Sequence, residues 1–242
     1  MTFLLKIKKT LLDDSRTRNI FGHLALGGLY KVVSVLLGFV VVPITLTYLK
    51  SERYGIWSAV LNVLSWITIF DVGIGAGLRN RLSEALAKND YESAKKFVST
   101  SYAVIALISF VGAIAVVFVI PNVNWQHFFN SPGLPVAELT SMMLIACLLI
   151  LINWTVSLCN QVFYAYQKSS WTGLSQVVSQ TITLVGLLIL GRMGIRSLTA
   201  WSGLYGFALL SSNIILSVFF FHKHQESCPS IAYIDFSKIK YV

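Results

Sequence analysis

Six long apolar runs set the terms on which this chain can fold. They cover residues 24–49, 54–77, 97–120, 139–163, 171–190 and 197–221, each 20 to 26 residues long. A helix of about 20 residues crosses the ~30 Å hydrocarbon core of a bilayer. In that medium every backbone N–H and C=O must be bonded within the structure, which leaves helices or closed barrels. The runs are continuously apolar, unlike the alternating ten-residue segments of a barrel. The expected fold is an all-α polytopic membrane protein with six transmembrane helices. Composition agrees: 55% of the 242 residues are hydrophobic and only 12% charged, against about 25% charged in a soluble domain. A soluble enzyme, a disordered tail and a disulfide-stapled secreted module are excluded.

Basic residues give the orientation. The N-terminal segment, the loops after the second and fourth runs, and the tail together hold fourteen Lys and Arg; the opposite loops hold four. Basic residues collect on the cytoplasmic side, so both termini are expected there. The net charge of +9 is thereby accounted for by topology, with no need of nucleic acid. The division is then a cytoplasmic segment 1–23, a six-helix lobe 24–221 and a cytoplasmic tail 222–242. Residues 1–23 lack the apolar core and cleavage site of a secretory signal. Tyr48, Tyr54, Trp57, Trp125 and Trp201 fall near the outer boundary, and Tyr102, Tyr164, Tyr166 and Trp171 near the inner one, as aromatic belts would. Cys147 and Cys159 are about 18 Å apart on one helix, too far for a disulfide, and Cys228 stands elsewhere. No Cys/His set has metal spacing.

One inner loop, RNRLSEALAKNDYESAKKF, is informative. Glu84–Lys88 and Glu92–Lys96 are i,i+4 pairs, and Asn89 with Glu92 has the form of a capping box. A short amphipathic helix on the membrane surface is expected, then a new helix from about Asn89.

Polar residues inside the runs carry the functional reading. Lys31 and Asp71 lie about 12–14 Å below the cytoplasmic surface at 1.5 Å per residue, on helices joined by a short outer turn. A charge at that depth costs about 2.5–3.5 kcal/mol unless paired or hydrated. The two can pair in a wet pathway, with Asp71 taking a coupling H+ or Na+ and Lys31 meeting a phosphate; alternatively, Lys31 snorkels to the headgroups and Asp71 marks a helix end. Gly73 and Gly77 have GxxxG spacing, suited to close packing or a helix break; no strand or GK[ST] supports nucleotide binding. Asn62 and Trp66 share a face of the second helix. Asn153, Ser157, Asn160, Gln161 and Tyr164, flanked by Trp154, share one of the fourth; Gln176, Gln180 and Thr183 share one of the fifth. Amides and indoles at this depth suit sugar hydroxyls and pyranose faces, or else hydrogen bonds between helices at about 0.6 kcal/mol each. No Ser/His/Asp or paired-carboxylate arrangement marks an enzyme.

Residues 31–101 resemble a family. Pro43 with Tyr48-Leu49, Tyr54-Gly55-Ile56-Trp57, Phe70-Asp71-Val72-Gly73 and Gly77-Leu78-Arg79-Asn80 are similar to the N-terminal half of bacterial polysaccharide-biosynthesis membrane proteins. These are the O-antigen flippases of the Wzx type, within the multidrug/oligosaccharidyl-lipid/polysaccharide exporter superfamily. The tail Ile234-Asp235-Phe236-Ser237-Lys238 resembles the linker to the second half. Ala76 stands where the family pattern FDxGxGNGLRN has Asn, so one polar contact of that turn is missing.

The resemblance implies a transporter of the bacterial plasma membrane, flipping undecaprenyl-diphosphate-linked oligosaccharide for O-antigen or related surface polysaccharide. Six helices equal one lobe of such a two-lobe flippase, and two-lobe transporters rock around a midplane site. The expected partners are therefore membrane lipids, the lipid-linked oligosaccharide, and a second lobe, a second copy or polysaccharide assembly proteins. Lys31 and Asp71 would line the entrance and Arg79 would meet the diphosphate, while Asn62, Trp66, Asn153, Trp154 and Gln180 would face sugar. No cofactor is expected beyond a coupling ion. A cation-coupled drug antiporter of the same superfamily, and an inactive or scaffolding membrane fragment, are the alternatives.

Overall fold

A computed structural model describes residues 15–67 and 73–237, with side chains over 22–65 and 73–237. All regular structure among the described residues is helical: α1 (Ser15–Ile67), α2 (Ile74–Ala87), α3 (Tyr91–Val119), a single turn α4 (Trp125–Phe128), α5 (Val136–Ser157), α6 (Cys159–Ala165), α7 (Ser170–Arg192) and α8 (Leu198–Lys223). Five helical stretches are long and apolar enough to cross a membrane: 22–65, 91–122, 136–165, 170–192 and 198–223. The first two expected runs fall within α1 as two helical arms on either side of a break at Lys50, and the second run is described as helix as far as Ile67. Its last residues, Ile74 to Gly77, open α2 instead.

A 44-residue stretch would reach about 66 Å as a straight helix, roughly twice the hydrocarbon thickness. It is not straight. Lys50 leaves helical geometry at φ 64, ψ 172, and the packing on either side shows the chain reversing there. Before Lys50, His23 bonds Ser170 and Tyr48 lies against Gly191, so this arm runs parallel to α7. After Lys50, Arg53 bonds Glu138, Trp57 packs edge-on against Tyr205, and Leu64 shares a small cleft with Ala146, Leu149 and Leu209. This second arm therefore runs with α5 and α8. Those two are parallel to each other, linked at Glu138–Leu198 and again at Asn153–Asn213. α7 opposes α8, linked at Ser175–Ser212 near one end and Gly186–Leu204 toward the other. α3 likewise opposes α5 through Ser109–Thr155 and Gly112–Leu151.

Two apolar clusters fill the bundle, one toward each end. The first joins Leu49, Trp57, Val60, Leu139, Met142, Leu198 and Trp201. The second joins Leu78, Leu82, Val98, Ile105, Val162, Phe163 and Phe220. Large apolar side chains line the outside, such as Phe39 on α1 and Phe110 and Phe118 on α3, as expected where the solvent is lipid rather than water. Trp57, Trp125 and Trp201 are buried, so they are core residues and not a lipid-facing belt. Trp125 and Trp201 satisfy their indole N–H groups on the carbonyls of Ile120 and Ile195.

The expected amphipathic helix forms as α2, which buries Leu78, Leu82 and Ala85. Lys88 donates to Glu84 at 2.7 Å and Lys96 to Glu92 at 2.6 Å. The cap is one residue later than the sequence suggests: Asp90 accepts from the Ser93 N–H, while Asn89 takes a left-handed φ of 56°. The Gly73–Gly77 spacing straddles the start of α2, with Gly73 as N-cap and the Gly77 N–H bonded to its carbonyl. The three cysteines are free thiols.

Candidate functional site

A polar layer lies between the two apolar clusters, where the sequence places its amides. Asn213, on α8 and 5% exposed, is the hub. Its Nδ2 donates to Asn153 Oδ1 at 2.9 Å. Its Oδ1 accepts from Ser175 Oγ at 2.9 Å and from Asn160 Nδ2 at 3.3 Å. Ser212 sits 3.3 Å from Ser175, oxygen to oxygen. One side chain therefore ties α5, α6, α7 and α8 together. Thr155 donates to Ser109 at 3.1 Å and joins α3 to the same layer.

The fourth expected span breaks here. Helix α5 ends at Ser157, Leu158 is the joint, and α6 begins at Cys159. The Ser157 hydroxyl turns back to the Trp154 carbonyl at 2.9 Å, an arrangement that bends helices. The break lets Asn153 and Asn160 reach Asn213 from two helical segments. Two buried polar atoms beside it have no partner among the described residues, Trp154 Nε1 and Asn160 Oδ1.

The expected pathway residues separate into two groups. Asn153 is bonded into the interior and Trp154 is half-buried beside it. Gln180 is half-buried on α7, whose Thr183 instead bonds the Ser179 carbonyl within the helix. Lys31, Asn62 and Arg79 are exposed, the first two on α1 among exposed apolar side chains. Asp71 and the side chain of Trp66 lie outside the described residues, and with them the expected Lys31–Asp71 pair.

Each end of the bundle carries a charged network. At the end where α1 reverses, the Glu138 carboxylate, 15% exposed, accepts from Arg53 and from the Leu198 N–H at the start of α8; Arg53 also donates to the Arg196 carbonyl at 2.8 Å. A carboxylate on free N–H groups at a helix start is favoured by the helix dipole. At the other end, Tyr166 bonds Glu226 at 3.0 Å and Ser227 at 2.7 Å, His224 bonds Glu226 at 3.0 Å, and Lys168 lies 2.7 Å from His224. Burial raises the Tyr166 phenol well above its usual range. Burial, then the nearby Lys223, lowers the Lys168 ammonium. Burial acts to raise the Glu226 carboxyl, but hydrogen bonds from its own backbone, His224 and Tyr166 outweigh it and hold the group low.

Sequence reasoning missed Asn213 and Glu138. Asn213 is the one amide in the 197–221 run, a signal in itself, since amides in such a medium seek partners. Glu138 stands just before an apolar run and reads from sequence as an ordinary boundary residue.

The chain matches a protein-family model described as "Polysaccharide biosynthesis protein" over residues 23–238. A Salmonella typhimurium protein named as an O-antigen transporter is 25% identical over 177 residues, which is 72% of this chain and 40% of that protein. The chain thus matches less than half the length of this relative. No solved structure gives a significant match.

Proposed function

The chain belongs to the polysaccharide biosynthesis protein family, and from that premise we propose that it works in flipping lipid-linked oligosaccharide across the bacterial plasma membrane. Its family and its apolar helices make it a multi-pass protein of the bacterial inner membrane. The reading has α1 crossing twice, which makes six passes with both termini in the cytoplasm, as the fourteen-to-four division of basic residues requires. The substrate is undecaprenyl-diphosphate-linked oligosaccharide, and the six-helix lobe acts with a second lobe, a second copy or another assembly protein.

One observation supports this path: Asn153, Asn160 and Ser175 of the bundle interior are bonded to Asn213, whereas Lys31 and Asn62 are exposed on α1. The interior knot is structural. The path runs along the α1 face, where Lys31 and Asp71 form the cytoplasmic entrance, Arg79 meets the diphosphate, and Asn62 and Trp66 face sugar. Asn153, Trp154 and Gln180 support that face from behind. Asp71 takes the coupling H+ or Na+.

The test is glycan export in cells that express this chain with whatever completes the transporter. Lys31→Ala and Asp71→Asn are expected to abolish surface polysaccharide while the protein still reaches the membrane. Export unchanged in both variants overturns the path. Efflux of cationic dyes in place of glycan export would mark the chain as a drug antiporter.

A further inference from the structure

The tail after α8 is not loose. Residues 225–237 fold back along α3: the Ser230 N–H donates to Ser99 Oγ at 3.0 Å, and the Asp235 N–H donates to Thr100 Oγ1 at 3.0 Å. Between tail and helix lies a groove of about 260 Å³. One wall is Tyr102, Ala103 and Ala106 of α3; the other is Pro229, Ile231 and Ile234 of the tail. Small residues on the α3 wall leave the trough open. Its polar atoms at Ser99 and Thr155 are already committed, to Ser230 and Ser109, so the lining offers an occupant little but carbon. An acyl chain leaves no polar group unpaired on such a surface, whereas a sugar or peptide backbone would.

A cation stands one turn of α3 before the groove lining begins at Ser99. Lys95, Ser99, Tyr102 and Ala106 follow one another at helical spacing, so they share one face of α3. Lys95 reaches over the Tyr233 ring at 4.7 Å from its centre. Its neighbour Lys96 is neutralised by Glu92, but Lys95 pairs with no carboxylate among the described residues. The deep end of the groove follows α3 toward the bilayer interior, and the mouth lies at the end where basic residues collect. A positive charge at headgroup level above an apolar trough matches one chemistry, an acyl chain under an anionic head.

We infer that the groove between α3 and the folded-back tail is a binding site for an anionic phospholipid of the bilayer, its phosphate on Lys95 and one acyl chain along Ala103 and Ala106. The tail forms one wall, so a bound lipid also holds the tail against α3. The site is separate from the α1 face and stands whether or not that face carries oligosaccharide.

Native mass spectrometry of the full chain, titrated with phosphatidylglycerol or phosphatidylcholine, tests this. One phosphatidylglycerol is expected to be retained in preference to phosphatidylcholine. Lys95→Gln is expected to weaken phosphatidylglycerol about five-fold, the worth of one lysine at an anionic surface, and to leave phosphatidylcholine unchanged. Ala103→Phe, which fills the trough, is expected to lose both. Ala106→Leu serves if circular dichroism shows that the Phe variant does not fold. Lys88→Gln, at an exposed and paired lysine, is expected to change nothing. Equal retention of the two lipids, an effect of Lys88→Gln as large as that of Lys95→Gln, or undiminished binding with the trough filled overturns the proposal. So does displacement of phosphatidylglycerol by an equal amount of undecaprenyl phosphate, which would assign the groove to a prenyl chain.

Discussion

Asn153 and Asn213, sixty residues apart in sequence, meet at 2.9 Å across the α5–α8 interface. The same Asn213 carboxamide accepts from Ser175 and Asn160, so one buried residue carries three inter-helix hydrogen bonds.

Asn213→Leu is therefore expected to cost about 2 kcal/mol, three such bonds at about 0.6 kcal/mol each. Thermal unfolding in detergent reads this as a lowered Tm. Asn153→Leu loses one of the bonds and should cost about a third as much. Equal losses in the two variants would show that Asn213 is not the hub.

Glu138 meets both the Arg53 guanidinium and the Leu198 N–H. Glu138→Ala strands a mostly buried guanidinium and a helix-start donor, at about 1.5–3 kcal/mol. Glu138→Gln still accepts a hydrogen bond and should recover part of that in the same unfolding assay. A Gln variant as unstable as the Ala variant would mean that the charge alone matters.

Gly206 leaves no room for a side chain: a Cβ there would lie 2.6 Å from Leu149 Cβ. Gly206→Ala forces α5 and α8 apart and should cost about 1–3 kcal/mol. Leu149→Ala alone also destabilises, by opening a cavity. In the double variant the Leu149 Cδ1 that a Gly206 side chain would also meet at 2.6 Å is gone while the Cβ contact remains, so the combined loss should be smaller than the sum of the two single losses. Strict additivity would sink the close-approach argument.

Glu226 is held below the usual carboxylate range, so its folded value is lower than its unfolded one. Its stabilising effect is then complete above the ordinary carboxylate range and is lost as the pH falls through the lowered value. Thermal stability measured from pH 7 downward should drop in that window, and Glu226→Gln should flatten the drop. Parallel curves for the two proteins would assign the acid sensitivity elsewhere.

The apolar runs and the amphipathic α2 were legible from sequence because both rest on periodicity and on charge pairs within one helix, as at Glu84–Lys88. The sequence also marks a short turn between the first two runs, but that one left-handed residue, Lys50, makes it depends on what each arm packs against. Asn89 and Asp90 are both good capping residues, and only the backbone decides between them. Trp57, Trp125 and Trp201 sit at boundary positions that suit lipid or core equally. The Asn213 knot is a meeting of four helical segments, and no single face of any one of them encodes it.

The parallel packing of the first arm of α1 on α7 has a consequence in time. His23 and its partner Ser170 are separated by 147 residues, and a ribosome adds about 5–20 residues per second. The first arm therefore spends about 7–30 s in the membrane before the helix that covers one side of it has been made. Through that interval its small-residue face at Gly27, later closed by Ser170 and Gly173, has only lipid or an insertion factor against it.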